Sequence, residues 1–543
     1  MREGEGWVFL MFYYSTNHKA ARATLRDAVV RGLAEDRGLY MPEVIKQLPA
    51  SFWDEIADLS FQEVAYRVAD AFFGEDVEAD ALRSIVYDTL QFDTPVVHVR
   101  DNIYALELFH GPTLAFKDVG ARFMARLLRY FTAPHTAPEG ASVQSEAERM
   151  VPSSGGEREA NINVLVATSG DTGSAVANGF LGVEGIHVYV LYPKGKVSAI
   201  QECQFTTLGR NITAIEVDGV FDDCQRLVKS AFMDADLNAH MRLTSANSIN
   251  VARFLPQAFY YFWAYAQMCK IAAAQRSEEL QPLAAELPQS DGIQITKDSA
   301  STYCDSDSAA ESRNSARSAI LHSGSKASNS HNALVVCVPS GNFGNICSAL
   351  FGHVMGLPVK RFIAANNAND VFYNYLQTGI YTPKASVQTI ANAMDVGDPS
   401  NFARILDLYS RADVQEILAQ RHIAQPLPSQ TGEGLGEGPL ISGATYTDQQ
   451  IADTMRECYA ETGYVLDPHG ACGYRALCEQ LQPDEVGIFL ETAHPAKFKD
   501  TVDAILGTDI PIPAKLQAFM RGEKQSVPMS RNFADFKAYL MQQ

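Results

Sequence analysis

The sequence lacks an excess of basic residues, and this shortage excludes one class of partner. It has 44 Lys and Arg residues against 64 Asp and Glu residues, which gives a formal net charge of −20 at pH 7. Such a charge repels a nucleic-acid backbone unless the basic residues are gathered into a patch or a run. The chain has no basic run of this kind. We therefore expect no nucleic-acid partner.

Long apolar runs are missing as well. A membrane-spanning helix needs roughly 20 consecutive apolar residues, and the nearest candidate, from Ala258, is interrupted by Gln267 and Lys270. Near the N-terminus, Arg2 is followed by the acidic residues Glu3 and Glu5 ahead of a short apolar stretch. A secretory signal would be positively charged there. We expect neither a membrane span nor an export signal, and Met1 and Met11 both stay open as the initiator.

Paired metal-binding cysteines are also absent. The nine cysteines include no Cys-x-x-Cys pair, and their number is odd in a chain without a secretory signature. Reduced thiols in the cytoplasm explain this pattern most simply. We expect a cytoplasmic protein without a metal site.

What the chain does contain is a regular alternation of short apolar runs and helical segments. Runs such as INVLVA (162–167), IHVYVLYP (186–193), ALVVCV (333–338) and VGIFL (486–490) read as buried strands. Strands that alternate with helices favour crossover units and parallel sheets. At 543 residues the chain also exceeds the usual size of one core. We predict an N-terminal domain (1–100), a large α/β domain (101–117 and 245–543) and a small α/β domain (118–244).

Three segments interrupt this alternation. Residues 134–160, 276–331 and 425–440 are rich in Ser, Pro, Gly, Ala or acidic residues and repeat no apolar period. Segments of this composition bury little apolar surface. We interpret all three as surface insertions. A partner-binding segment is the alternative for the longest of them.

One lysine stands at the start of a predicted helix, in the stretch LFHGPTLAFKDVGARFM (108–124). The apolar residues after Lys117 follow a helical period. A helix N-terminus carries partial positive charge and disfavours an ammonium group, and apolar neighbours such as Phe116 act in the same direction. The amine would then be neutral often enough to attack a carbonyl carbon. A solvated lysine at a helix start is the alternative.

The stretch VPSGNFGN (338–345) predicts a strand, a glycine turn and a helix start. Successive backbone N–H groups at such a turn form a site for a phosphate group. The G-x-G-x-x-G spacing of dinucleotide sites is missing, and no Gly-Lys-Ser/Thr follows as in a P-loop. A small phosphorylated cofactor therefore fits better than a nucleotide. An ordinary strand-to-helix turn remains the alternative.

Three further elements are suited to anions or to a ring nitrogen. The loop TSGDTGS (168–174) offers hydroxyl and N–H groups to a carboxylate. Ser248 offers a short donor, and Arg253 offers a planar fork to a phosphate or a carboxylate; a surface arginine is the alternative for Arg253. Thr492 follows a strand at the edge where ligands of α/β sheets bind, and it either faces a ring nitrogen or caps the next helix. Together with a reactive lysine, these elements suggest pyridoxal phosphate.

Taken in order, six motifs resemble one family. FHGPTLAFKD, ATSGDTGSA, ANSIN..R..PQ..YYF, PSGNFGN, DPHG..GY and TAHPAKF are similar to those of the long-chain branch of threonine synthases. The N-terminal stretch from Tyr13 also resembles that branch. This resemblance covers about 400 residues and omits the three insertions. It implies fold type II among pyridoxal-phosphate enzymes, with two open twisted sheets, helices on both faces and an N-terminal domain.

The resemblance also implies a reaction and a set of site residues. The reaction is the conversion of O-phosphohomoserine and water to threonine and phosphate. Apart from the resemblance, we expect a monomer or a homodimer. Lys117 is implied as the Schiff-base lysine, and Thr492 as the partner of the pyridine nitrogen. The cofactor phosphate would be held by Gly341, Asn342, Phe343, Gly344 and Asn345. The substrate carboxylate would be held by Ser169, Gly170, Asp171 and Thr172, and the substrate phosphate by Ser248 and Arg253.

Two positions depart from the motifs. Gly470 stands where the resemblance leads us to expect threonine, and Val251 where it leads us to expect tryptophan. Neither lies in the lysine motif or the phosphate loop. Three alternatives stay open: a threonine-synthase-like phospho-lyase, a serine/threonine dehydratase on the same fold, and a non-catalytic scaffold.

Overall fold

The structure is a computed structural model that describes residues 11–133, 162–285, 333–421, 423, 427 and 440–543. Its strands form three sheets. In chain order they are β1 (Phe12–Ser15), β2 (Ala23–Thr24), β3 (Tyr40–Pro42), β4 (Val96–Arg100), β5 (Ile103–Glu107), β6 (Ile162–Ala167), β7 (Ile186–Pro193), β8 (Ile212–Asp218), β9 (Arg242–Ser245), β10 (Leu334–Pro339), β11 (Arg361–Asn366), β12 (Ile441–Thr445), β13 (Val486–Glu491) and β14 (Val527–Ser530).

Helices connect and cover these strands. The α-helices span Leu25–Arg31, Ala50–Glu55, Phe61–Phe73, Ala79–Thr89, Lys117–Thr132, Asp171–Gly179, Ala199–Thr206, Phe221–Met233, Ala235–His240, Val251–Phe254, Ala258–Ala285, Gly344–Met355, Val371–Thr378, Phe402–Ser410, Ala412–Gln420, Asp448–Thr462, Pro468–Gln480, Lys499–Leu506, Ala514–Met520 and Phe533–Leu540. Short 3-10 helices span Leu255–Gln257, Asn392–Met394 and Pro495–Phe498. None of the helices in the described part of the chain is long and apolar enough to cross a membrane.

The N-terminal region carries a small antiparallel sheet in the order β2-β1-β3. The helix Phe61–Phe73 follows it, and Ser60 caps this helix by accepting a hydrogen bond from the Glu63 N–H. Its apolar residues repeat with a helical period, and Phe61 stacks on Trp263 of the helix Ala258–Ala285. Burial of this face fixes the N-terminal region against the rest of the chain.

The larger sheet has six strands in the order β12-β11-β10-β13-β5-β4. All neighbours are parallel except β4 and β5, which form an antiparallel pair at one edge. The central strands β10, β11 and β13 are almost completely buried, which agrees with their continuous apolar sequences. The carboxyl ends of β10 and β13 therefore lie side by side, where ligands of such sheets bind.

The second sheet has five parallel strands in the order β14-β8-β7-β6-β9. The buried strands β6 and β7 form its middle. Strand β14 comes from the C-terminal end of the chain, yet it pairs with β8 in this sheet. The sequence division places β14 in the large domain, and the domain boundaries stay a prediction.

The strands read from the sequence at 162–167, 186–193, 333–338 and 486–490 match β6, β7, β10 and β13 within one residue at each end. The prediction of α/β architecture with two open sheets is confirmed. The predicted insertions at 134–160, 276–331 and 425–440 lie almost entirely outside the described residues. The exceptions are the end of the helix Ala258–Ala285, which extends into the second of them, and residues 427 and 440 in the third.

Candidate active site

The segment before Lys117 is held against the segment after β13. The Phe116 N–H donates to the Thr492 carbonyl at 2.9 Å, and the His494 N–H donates to the Leu114 carbonyl at 3.1 Å. Leu114 has φ of 55°, a left-handed conformation that is unusual for leucine and that turns the chain sharply into the helix. These bonds place Lys117 and Thr492 on adjacent backbone segments.

Lys117 is the first residue of the helix Lys117–Thr132, as the sequence predicts. Burial is the main cause that lowers the pKa of its amine to about 8; Asp171 opposes this shift, and Lys497 and Arg253 contribute to it. The amine lies 5.5 Å from the centre of the Phe116 ring, so the neighbouring aromatic residue shields it from water. An amine with this pKa is partly neutral near pH 7 and available as a nucleophile.

The loop between β10 and the next helix has the geometry of an anion cradle. Phe343 has φ of 61°, and the helix Gly344–Met355 starts directly after it. A β-carbon at Gly341 would lie 2.7 Å from the Met394 Cα, so the loop and its neighbours leave no room for a side chain there. The turn therefore presents backbone N–H groups at a helix N-terminus, which attract a phosphate group.

Side chains around this loop form a connected network. Asn342 donates to the Ser248 hydroxyl oxygen at 2.8 Å, and its own Oδ1 accepts from the Ser400 N–H at 2.7 Å. Asn401 donates to the Asn342 carbonyl at 3.0 Å and to the Ser248 oxygen at 3.2 Å. The Asn342 side chain thus supports the loop, and its backbone is the part left for a ligand.

Asn345 lies one residue into the helix and is buried. Its Oδ1 accepts hydrogen bonds from the Tyr260 and Tyr261 hydroxyls at 2.5 and 2.7 Å. Its Nδ2 is buried without an acceptor among the residues that the structure describes. A buried amide donor that lacks an acceptor costs free energy, so a bound acceptor at this position would stabilise the site.

The loop at 169–172 lies at the end of β6, in the five-stranded sheet. Gly170 has φ of 143°, and a β-carbon there would lie 2.6 Å from the Gln201 side chain. Thr168 accepts hydrogen bonds from the Gly170 and Gly173 N–H groups and so shapes the turn. The helix Asp171–Gly179 begins at the loop, so its first N–H groups are directed at the site.

Asp171 forms a buried ion pair that links the two large sheets. Its Oδ1 lies 2.5 Å from the Lys497 Nζ and accepts a hydrogen bond from Gln201 at 2.9 Å. The Lys497 Nζ also donates to the Thr113 carbonyl at 2.9 Å, four residues before Lys117. Lys497 and Lys117 together hold the pKa of Asp171 well below its usual value despite burial. The carboxylate is therefore charged.

Arg253 is buried beside the helix that carries Lys117. Its guanidinium donates to the Lys117 carbonyl at 3.3 Å, and its Nε is buried without an acceptor in the described part of the chain. Burial lowers its pKa to about 10, so it is charged at neutral pH. A β-carbon at Gly120 would lie 2.3 Å from the Arg253 carbonyl oxygen, so the two segments approach closely.

The predicted residues thus fall into two groups. The first joins Lys117, Arg253, Thr492 and the loop that carries Asp171. The second joins Ser248 to the 341–345 loop, and no contact among the described residues links Ser248 to Arg253. The capping alternative for Thr492 is wrong, because the His494 side chain caps the helix Pro495–Phe498 by accepting from the Ala496 N–H.

Two residues of the site, Lys497 and Asn401, were not predicted from the sequence. Lys497 lies within the quoted motif TAHPAKF, between apolar and aromatic residues, so a buried cation was visible in principle. Asn401 lies in a stretch with no recognisable pattern, and only the tertiary fold brings it to the 341–345 loop.

The chain is similar to known proteins over nearly its whole length. Residues 12–90 match the family described as threonine synthase N terminus, and residues 470–540 match threonine synthase, C-terminal. The threonine synthase of Haemophilus influenzae is 37% identical over 533 residues, which cover 98% of this chain and 100% of that protein. The chain belongs to the threonine synthase family. Its predicted function as a threonine synthase is confirmed.

Solved structures of the family agree with this fold. The crystal structure of Escherichia coli threonine synthase matches with a TM-score of 0.73 and 35% identity, covering 98% of this chain and 100% of that chain. A threonine synthase from Brucella melitensis, crystallised with pyridoxal phosphate, matches with a TM-score of 0.72 and 30% identity, covering 98% of this chain and 99% of that chain. The predicted fold class is confirmed.

The departure at Gly470 has a local cause. A β-carbon at this position would lie 2.1 Å from the Glu491 Oε1, so Glu491 occupies the space that a threonine side chain would need. Burial and the neighbouring Asp467 raise the pKa of Glu491 well above its usual value. The second departure, Val251, is fully buried in the core.

Proposed function

We propose that this chain converts O-phospho-L-homoserine and water to L-threonine and phosphate, with pyridoxal 5'-phosphate bound covalently to Lys117. The observation that carries the proposal is the placement of Lys117. Its amine has a pKa lowered to about 8 and lies on a segment that is hydrogen-bonded to the backbone of Thr492. Strongly perturbed pKa values cluster at functional sites, where burial and neighbouring charges act on one group.

The residues present fit the cofactor. Gly341, Phe343, Gly344 and Asn345 would hold its phosphate through backbone N–H groups, with the unpaired Asn345 Nδ2 as a further donor. Asn342 would contribute its backbone, since its side chain is engaged by Ser248 and Ser400. Thr492 would place its hydroxyl at the pyridine nitrogen. When bound, the cofactor supplies the electron sink that stabilises negative charge at the substrate Cα.

Lys117 would carry the proton transfers. Its amine would remove the Cα proton and then one Cβ proton, as phosphate leaves from Cγ. Protonation of Cγ, addition of the water hydroxyl at Cβ and return of a proton to Cα would complete the reaction, so that one water is consumed for each phosphate released. A hydroxyl at the ring nitrogen carries no negative charge, so Thr492 would leave that nitrogen mostly unprotonated.

The remaining residues would bind and orient the substrate. The loop Ser169, Gly170, Asp171 and Thr172 would receive the carboxylate on its N–H and hydroxyl groups, and the Lys497 ammonium offsets the Asp171 charge there. Ser248 and Arg253 would bind the substrate phosphate. Gripping the substrate at both ends fixes which C–H bond faces the Lys117 amine, and such positioning lowers the barrier substantially.

An absorbance scan and a product assay test this proposal together. The purified protein should absorb visible light through its bound cofactor and release phosphate and threonine from O-phosphohomoserine in equal amounts. Release of ammonia and an oxoacid would instead indicate a dehydratase, and phosphate release without threonine a phospho-lyase. A colourless protein that stays inactive with added cofactor would indicate a non-catalytic scaffold.

We also propose a cytoplasmic protein that works as a monomer or a homodimer and does not bind nucleic acid. The net charge of −20, and the absence of a disulfide among the eight cysteines that the structure describes, support this assignment. Sedimentation of the purified protein would test its mass, and a tetramer would contradict it.

A further inference from the structure

Arg404 is a fully buried arginine directly behind the 341–345 loop. It belongs to the helix Phe402–Ser410 and has 0% of its surface exposed. Its guanidinium donates to Asn401 Oδ1 at 2.5 Å, to the Ile249 carbonyl at 2.6 Å and to the Ser248 carbonyl at 3.1 Å. Two further bonds reach the Tyr40 carbonyl, at 3.2 and 3.3 Å. All five N–H groups of the guanidinium therefore donate to uncharged oxygen atoms.

The positive charge of Arg404 has no negative partner in the described part of the chain. No carboxylate lies within ion-pair distance of it there, and the guanidinium lies 4.1 Å above the Phe254 ring. The nearby Cys347 is uncharged at neutral pH, because burial raises its pKa to about 12. Burying an unpaired ion costs several kcal/mol. A buried positive charge without a negative partner therefore points to an anion that binds close by.

One side chain, Asn401, connects Arg404 to the 341–345 loop through hydrogen bonds. By donating to Asn401 Oδ1, Arg404 orients the amide so that Nδ2 faces the Asn342 carbonyl and the Ser248 oxygen. The Ser248 oxygen accepts from both Asn342 and Asn401, so its own hydrogen stays available to a ligand. A β-carbon at Gly344 would lie 3.0 Å from the Ser248 Cβ, which places this hydroxyl at the helix start.

We infer that Arg404 is a positioning residue and buried counter-charge for a phosphate monoester bound beside Ser248, where Ser248 meets the 341–345 loop. The inference rests on the proposed function and deepens it. Arg404 acts through Ser248 and Asn401, whose orientation it fixes, and its charge offsets that of the bound phosphate. Either the cofactor or the substrate supplies this phosphate, and the two sources are separable by experiment.

The test compares ligands that differ only in the phosphate group. Apoenzyme of wild type and Arg404→Met is titrated with pyridoxal phosphate and with pyridoxal. If the cofactor phosphate is the anion, the variant should bind pyridoxal phosphate about tenfold more weakly or worse, with pyridoxal unchanged within about twofold. If the substrate phosphate is the anion, KM for O-phosphohomoserine should rise about tenfold while competitive inhibition by homoserine is unchanged.

Arg404→Met could instead weaken the binding of pyridoxal as much as that of pyridoxal phosphate, and of homoserine as much as that of O-phosphohomoserine. Such equal losses would overturn the inference, because they indicate a purely structural role. Unchanged affinities throughout would overturn it as well. Failure of the proposed function itself is distinguishable, since wild-type protein would then either bind no cofactor covalently in the same titration or bind it without releasing threonine from O-phosphohomoserine.

Two further variants separate charge from packing. Arg411 also donates to carbonyls of the N-terminal region, at Pro42 and Glu43, but it is paired with Asp413. Arg411→Met should leave the preference for phosphorylated ligands unchanged. Arg404→Lys keeps the charge, so it should retain more of that preference than Arg404→Met. A loss as large as that of Arg404→Met would contradict the counter-charge.

If Arg404→Met does not fold, the melting temperature of the wild-type protein tests the inference instead. The unpaired charge predicts that inorganic phosphate raises the melting temperature of wild-type apoenzyme, compared with chloride at equal ionic strength. Arg404→Lys should show a similar rise. Absence of the rise in wild type would overturn the inference.

Discussion

At the scale of single residues, the site depends on charged side chains that the fold has buried. Lys117, Arg253 and Lys497 bring positive charge to one place, and Asp171 offsets part of it. This excess of positive charge suits an anionic substrate that carries both a carboxylate and a phosphate. Sequence reasoning identified Lys117, Arg253 and Asp171 through their motifs. It missed Lys497 because a lysine is expected on the surface unless a tertiary partner is known.

Arg253→Ala should raise KM for O-phosphohomoserine far more than it lowers kcat. A hydrogen bond to a charged group contributes about 1.5 to 3 kcal/mol, which corresponds to an increase of about 10- to 100-fold. Steady-state kinetics measure both constants. Arg122→Ala is the control, because Arg122 lies on the helix Lys117–Thr132, as Lys117 does, but donates to the Asp88 and Thr89 carbonyls. Unchanged KM in Arg253→Ala would remove its proposed role.

Lys497→Met should shift the pH dependence of cofactor incorporation into apoenzyme. Only the neutral Lys117 amine reacts, so incorporation should rise with pH around its pKa of about 8. Removing the Lys497 cation, which lowers this pKa, moves the midpoint to higher pH. The variant should also lose about 3 to 5 kcal/mol of stability, because Asp171 stays buried without its partner. Rates of cofactor uptake between pH 6 and pH 10 and urea unfolding measure these effects.

The control for Lys497→Met is Lys515→Met. Lys515 is exposed and donates to the His110 and Gly111 carbonyls, near the same loop. Its removal should leave the midpoint of cofactor uptake unchanged. An unshifted midpoint in Lys497→Met would show that Lys497 does not act on the Lys117 amine.

At the scale of elements, the site is built where strands end and helices begin. The helix starting at Lys117 and the helix starting at Gly344 were both predictable, because their apolar periods and glycine turns are local features of the sequence. The pairing of residues 114–116 with 492–494 was not predictable, since it joins segments far apart in the chain. That pairing brings Lys117 and Thr492 together.

Gly341→Ala should weaken cofactor binding. The new methyl group would lie 2.7 Å from the Met394 Cα and 3.0 Å from the Ala393 carbonyl oxygen, so the loop must shift. A shifted loop no longer directs its N–H groups at the phosphate, and each hydrogen bond to a charged group that is lost costs about 1.5 to 3 kcal/mol, or about 10- to 100-fold in affinity. Fluorescence titration of apoenzyme with pyridoxal phosphate measures the affinity.

Gly379→Ala is the comparison for Gly341→Ala. Gly379 is also strained for alanine, with φ of 68°, but it has no neighbouring atom within 4 Å of an added β-carbon. This variant should lose about 1 kcal/mol of stability and keep its cofactor affinity. Equal affinity in both variants would contradict the phosphate role of the 341–345 loop.

At the scale of the whole molecule, two sheets share one site. The ion pair between Asp171 and Lys497 joins the five-stranded sheet to the segment after β13. The sequence predicted the α/β alternation that produces both sheets. It could not place β14, because a short strand of four residues carries too little pattern to identify its partner.

Replacing residues 290–330 by a short Gly-Ser linker should preserve activity. Their composition buries little apolar surface, and the helix Ala258–Ala285 and strand β10 on either side lie outside the replaced segment. We expect kcat/KM within about threefold of wild type, since loop length has a small effect on stability. A loss of activity at unchanged melting temperature would show that the segment contributes to the site.

The most direct measurement reduces the native protein with borohydride, digests it and identifies the modified peptide by mass spectrometry. Reduction fixes the cofactor on the amine that holds it. We predict one modified residue, Lys117, in the peptide that contains LAFKD. A modification on Lys497, the other buried lysine of the site, or on no lysine at all, would contradict the account.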